Sequence, residues 1–178
     1  MVSIIPTDTL YGIVAPALDP EAVASVYQLK KRAPEKASII LISGLDELDK
    51  FGIRPQGKIL QFLSRVWPGA VSAILHCPGE EFWYLHRGTN RLAFRVPASE
   101  KLRIRLRELG PLIAPSANPE GLPPASTVAE ARAYFGDAVD EYEDGGTLTG
   151  HPSTLIDLAN GKPNIIRQGR TDVSFESF

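Results

Sequence analysis

The apolar segments of this chain are short and punctuated, which constrains its fold more than any other feature. Val2 to Ile5, Ser38 to Ile42, Val71 to Leu75, Leu92 to Val96 and Leu112 to Ala114 each have the length of a buried strand. Segments of helical period lie between several of them. Asp19-Pro20-Glu21 supplies a cap and a proline at the first helical position. Ala22, Val23, Val26, Tyr27 and Leu29 then recur at helical spacing, predicting a helix that ends near Arg32, before Pro34. A second helix is predicted over Ile59 to Val66, stopped by Trp67-Pro68-Gly69. Ser99 caps a third, with Leu102, Leu106 and Leu109 on one face, and Thr127 with Glu130 makes a capping box for a fourth through Phe135. Val139 to Tyr142, Thr154 to Leu158 and Asn164 to Gln168 read as late strands. Helices mixed with short strands, some separated only by loops, predict an α/β or α+β fold. Its sheet is open, twisted, mixed in direction and flanked by helices, and is not cleanly doubly wound. At 178 residues one compact domain over 1–178 is expected.

Composition removes several function classes. A formal charge of −2, from 19 Lys plus Arg against 21 Asp plus Glu, does not suit a protein coated in positive charge for wrapping nucleic acid. It leaves room for a local basic cavity. No apolar run is long enough to span a bilayer, and no basic region followed by a long apolar stretch opens the chain. Cys77 is the only cysteine, so an internal disulfide is impossible and a reducing, cytoplasmic location is expected. His76, His86 and His151 lack metal-ligand spacing, and no resident metal site is predicted. Neither a Gly-x4-Gly-Lys-Ser/Thr loop, a Gly-x-Gly-x-x-Gly turn nor a Gly-x-Ser-x-Gly elbow is present.

Four segments carry chemistry-bearing side chains. Pro6-Thr7-Asp8-Thr9-Leu10-Tyr11-Gly12 runs from the first strand straight into hydroxyl, carboxylate and phenol groups, at the kind of strand end where open sheets bind ligands. Read alone, the string also makes an ordinary polar turn, the commoner outcome. Lys30-Lys31-Arg32 closes the first helix, where cations complement the dipole. Lys36 adds another just before a buried strand, and such a cluster can hold a triphosphate. Pro115-Ser116-Ala117-Asn118 leaves a strand into a proline-stiffened loop that is either a self-bonded turn or a ligand surface. Arg95 sits among Ala93, Phe94 and Val96 and needs an anionic partner, either a structural carboxylate or a ligand's. Arg87 and Arg91 read as solvated, and Lys101, Arg103, Arg105 and Arg107 as surface charge. Ser153-Thr154 before a strand and Arg167 in the last apolar run are unremarkable singly.

In order, these pieces resemble the YrdC/TsaC family of threonylcarbamoyl-AMP synthases. The matching segments are Pro6 to Gly12, Lys30-x-Arg32 with Lys36, Trp67-Pro68-Gly69 and Arg95-Val96-Pro97. They continue through Ala114 to Asn118, Gly145-Gly146, Ser153 to Asp157 and Ile166-Arg167-Gln168-Gly169. The resemblance implies formation of threonylcarbamoyl-AMP from L-threonine, bicarbonate or CO2, and ATP with Mg²⁺, releasing diphosphate. The product feeds N6-threonylcarbamoylation of adenosine 37 in tRNA through a transferase complex. It also implies that Thr7, Arg95, the Ala114 backbone and Ser153 hold L-threonine. Lys30, Arg32, Lys36, Ser116, Asn118 and Arg167 would hold ATP, with Lys30 and Arg32 acting on the transferring phosphoryl group. Two departures stand out. Many relatives have a His where this chain has Leu41, and a helix and the start of a strand where only five residues precede Pro6. The latter leaves a thinner sheet edge or pocket wall, or a trimmed start site, as the expectation. Two other readings are a carbamoyl-transfer relative and a non-catalytic module binding tRNA or double-stranded RNA.

Overall fold

The computed structural model describes residues 1–33 and 36–175. In chain order the strands and α-helices are β1 (Ser3–Pro6), β2 (Tyr11–Pro16), α1 (Pro20–Lys30), β3 (Ile39–Leu41), α2 (Gly57–Val66), β4 (Val71–His76) and α3 (Trp83–His86). There follow β5 (Arg91–Arg95), α4 (Glu100–Leu109), β6 (Leu112–Ile113), α5 (Val128–Phe135), β7 (Glu141–Tyr142), β8 (Thr154–Asp157) and β9 (Asn164–Arg167). Among the described residues nine strands form one sheet in the order β7-β1-β2-β6-β3-β5-β4-β8-β9. β1 with β7, β3 with β5 and β4 with β8 run parallel, and the remaining pairs antiparallel, giving the mixed sheet expected from the sequence.

Local signals act largely as read. Asp19 Oδ1 accepts from the Glu21 and Ala22 amides to start α1, and Ser99 Oγ accepts from Leu102 to start α4. α1 ends at Lys30, with Lys31 in a left-handed cap at φ 50°; Pro34, marked in the sequence as its stop, lies outside the described residues. On α4 the expected apolar face holds for Leu102 and Leu106, while Leu109 is half exposed at the helix end. β2 is additional to the predicted strands. Thr7 to Leu10 close so tight a hairpin that the chain returns immediately as a strand, with Pro6 opposite Tyr11. β1 is not an edge, because β7 lies parallel to it with Ser3 opposite Glu141.

The alternation of strand side chains divides the space around the sheet. Ile4, Ile13, Ile40, Leu92, Phe94 and Ile113 point into the larger core with α1 and α2 residues, where Phe51 stands edge-on to Phe94 at 5.0 Å. Ile5, Val14, Leu41 and Leu112 point to the other face, where they cluster with Leu102 and Leu106 of α4. That helix covers only part of this face. Arg91, Ala93 and Arg95 of β5, with Ile74 of β4 and Leu155 of β8, lie beyond it and floor an open cavity. Leu41 is opposite Arg95 in register, and α4 fills the space above it.

Candidate active site

The cavity has a volume of about 950 Å³, at the upper end of small-molecule sites. It spreads over the sheet face and is not confined to strand ends. Thr7, Arg95, Ala114 and Ser153 line it, as do Arg32, Lys36, Ser116 and Arg167. Lys30 and Asn118 do not line it.

At one end, the Pro6 to Gly12 hairpin supports Arg95. Thr7 Oγ1 donates to the Leu10 carbonyl at 2.6 Å and accepts from the Thr9 and Leu10 amides at 3.2 Å, which fixes the turn. The turn presents Thr9 Oγ1 to Arg95 Nη1 at 2.9 Å and Asp8 Oδ1 to Arg95 Nη2 at 3.1 Å. Asp8 Oδ2 accepts the Ala98 amide at 2.9 Å. Arg95 is 3% exposed, and its Nε has no hydrogen-bond partner. Burial pushes the guanidinium below its usual pKa range, Asp8 draws it back up, and Arg167 opposes it. Of the two partners the sequence allowed for Arg95, the structural carboxylate is present, and the side chain still faces the cavity. Ser153 Oγ shares a 2.8 Å hydrogen bond with Ser72 Oγ, and Arg167 Nη2 donates to the Ser153 carbonyl at 2.9 Å. Tyr11 reaches behind the turn: its hydroxyl accepts the Gly145 amide and donates to the Gly146 carbonyl, both at 2.8 Å.

At the other end the cations hold their own backbone. Arg32 Nε and Nη2 donate to the Lys36 and Ala37 carbonyls at 3.0 and 2.8 Å. Lys36 extends to Glu120. Lys30 departs from direct phosphate contact. Its ammonium is buried and donates to the carbonyls of Ser116 and Asn118, tying α1 to the loop after β6. Burial first, then Arg32, lowers its pKa to about 7. Asn118 likewise works inside that loop, accepting from Ser116 Oγ at 2.6 Å and donating to the Leu122 carbonyl at 2.7 Å.

Two arginines read as solvated are engaged. Arg87 lies over the Tyr27 ring at 4.6 Å, and Arg91 bonds Asp157 and Asn160 at 2.8 and 3.0 Å. Lys101 and Arg105 pair with Glu143. Sequence reasoning missed Asp8, Thr9 and Ser72. Thr9 had a signal, as the second hydroxyl of Thr7-Asp8-Thr9, and Ser72 another, as a lone hydroxyl in an apolar run. Among the described residues no His, Cys, Asp or Glu lines the cavity, and no group of three or more of them could hold a metal.

A mixed open sheet with a cationic, hydroxyl-lined cavity over one face defines an α/β domain with a cavity of ligand size on its sheet. The Sua5/YciO/YrdC family model, described as telomere recombination, matches residues 1–169, and the chain belongs to that family. Relatives named threonylcarbamoyl-AMP synthase include one from Idiomarina loihiensis, 34% identical over 162 residues, covering 88% of this chain and 87% of the relative. Another, from Bacillus subtilis, is 35% identical over 169 residues, covering 92% of this chain and 48% of the relative. The crystal structure of Pyrococcus abyssi Sua5 complexed with L-threonine superposes with a TM-score of 0.86 at 30% identity, covering 94% of this chain and 50% of that one. The chain spans about half the length of the B. subtilis and P. abyssi proteins. Among the described residues no helix is long and apolar enough to cross a membrane.

Proposed function

We propose that this chain is a threonylcarbamoyl-AMP synthase, a nucleotidyltransferase that joins L-threonine, CO2 or bicarbonate, and MgATP. One observation carries the reading. A single continuous cavity is lined by Thr7, Arg95, Ala114 and Ser153 at one end and by Arg32, Lys36, Ser116 and Arg167 at the other. The first set suits an amino acid: Arg95 pairs with the carboxylate and the Ser153 hydroxyl meets its polar groups, while Thr7, whose hydroxyl is taken up within the turn, shapes the wall. The second suits a phosphate chain.

The neutral threonine amine takes up CO2 and loses a proton, giving a carbamate. A carbamate oxygen attacks the α-phosphorus, the bond to the β-phosphate oxygen breaks, and diphosphate leaves. No protein nucleophile is required. The residues align two substrates and offset charge on the transferring phosphoryl group and the leaving diphosphate. Lys30 acts as a positioning residue, holding the Ser116–Asn118 loop against α1. The product would serve N6-threonylcarbamoylation of tRNA, handed on to a transferase complex.

The test is diphosphate release by purified protein with ATP, Mg²⁺, L-threonine and bicarbonate. Omitting threonine or bicarbonate should abolish release. Release that ignores threonine, or no release at all, would contradict the reading.

A further inference from the structure

Behind the cavity wall, the end of α1 with the segment that follows it and the loop after β6 reach into each other. Lys30 of the first bonds the Ser116 and Asn118 carbonyls of the second. Glu120 of the second runs the opposite way. Its Oε2 accepts the Ala33 amide at 2.7 Å, its Oε1 pairs with the Lys36 ammonium, and its own amide donates to the Lys30 carbonyl at 2.7 Å. One cation and one anion thus clasp the two segments that bear Arg32, Lys36 and Ser116.

The two halves of the clasp differ in one respect. Lys30 is enclosed, whereas Lys36 is 56% and Glu120 27% exposed at the side chain, and Lys36 also lines the cavity. The Lys36 backbone is fixed, its carbonyl accepting from the Tyr27 hydroxyl at 2.8 Å and from Arg32 Nε at 3.0 Å. Only its ammonium has to move to change partners. Glu120 stays ionised at neutral pH, since the Lys36 bond first and the Ala33 amide next hold its carboxyl below the usual range. An exposed ion pair adds little to stability, and a neutral acceptor would serve Ala33 as well. The negative charge acts most directly on Lys36, which it bonds, and through space on Arg32 and the buried Lys30 ammonium.

We infer that Glu120 is a resident counter-anion of the cavity's phosphate end: it holds the Lys36 ammonium in the ligand-free protein and yields it to an incoming phosphate chain. This rests on the nucleotide reading above. The exchange breaks one lysine–carboxylate pair and forms one lysine–phosphate pair, and the freed carboxylate returns to water. Glu120 therefore lowers the affinity of that end for polyphosphates and recaptures Lys36 when diphosphate departs.

Glu120→Gln retains an acceptor for Ala33 and removes the charge. Calorimetric titration with ATP, tripolyphosphate and diphosphate, without threonine, should show about fivefold tighter binding than wild type at low salt. The difference should shrink at high salt and be largely lost in a Lys36→Met background, leaving only the weaker through-space effect of the charge on Arg32, which a merely structural role would not produce. Equal or weaker binding by a Glu120→Gln protein that melts like the wild type would overturn the inference. Failure of every polyphosphate to bind either protein would overturn the phosphate site and this inference together. Binding with the expected difference but no threonine-dependent turnover would overturn only the proposed reaction.

Discussion

Replacing Asp8 by Asn tests the buried pair on which the amino-acid end is built. The Arg95 and Asp8 side chains are 4% and 10% exposed, so the guanidinium would lose its nearby counter-charge with little water to replace it. Removing one member of a buried pair costs about 3–5 kcal/mol. An asparagine can still accept the Ala98 amide that Asp8 Oδ2 accepts at 2.9 Å, which puts the cost at the low end, about 3 kcal/mol. For a chain of this size that corresponds to a fall in melting temperature of about 6–12 °C. The assay is thermal unfolding with and without L-threonine. If Arg95 takes the threonine carboxylate, the ligand supplies the charge that the neutral amide lacks, so its stabilising shift should be larger in the variant than in the wild type. An Asp8→Asn protein melting within about 2 °C of wild type would refute the energetic role given to the pair. A smaller threonine-induced shift would refute the carboxylate assignment.

Two further perturbations follow from geometry. Lys30 titrates at about 7 when folded against 10.5 ordinarily, so the unfolded chain holds more protons between those values and stability should rise with pH across that window. Urea unfolding should show the wild type gaining on Lys30→Met as pH increases from 7; parallel profiles would contradict the buried ammonium. Gly150 lines the cavity, and a Cβ there would collide with the Thr9 carbonyl oxygen. Gly150→Ala must displace the turn that braces Arg95, costing about 1–3 kcal/mol in thermal unfolding and weakening threonine binding more than ATP binding.

Much of this architecture was legible locally, because caps, prolines and short apolar runs act over a few residues. Asp19, Ser99 and Trp67-Pro68-Gly69 bound helices where they were read to do so. β2 was hidden because it begins inside the Pro6 to Gly12 string, which reads as a turn, and its pairing depends on that hairpin. The motif order brought the cavity residues together on paper, but roles within the motifs depend on distant contacts. Nothing near Lys30 in sequence signals that its ammonium turns to carbonyls 86 and 88 positions away. Arg87 gave no sign of its ring partner on α1. Asp8 and Thr9 were visible inside the first motif, yet only the position of Arg95 separates them from ordinary turn residues.

The proposed division of one cavity into an amino-acid end at Arg95 and a nucleotide end at Arg32 and Lys36 is open to a direct test. Arg95→Ala is titrated calorimetrically with L-threonine and, separately, with ATP. Threonine binding should fall sharply while ATP binding stays near the wild-type value, which also reports that the variant is folded. Equal loss of both ligands would make Arg95 a structural residue and contradict the division of the cavity into two ends.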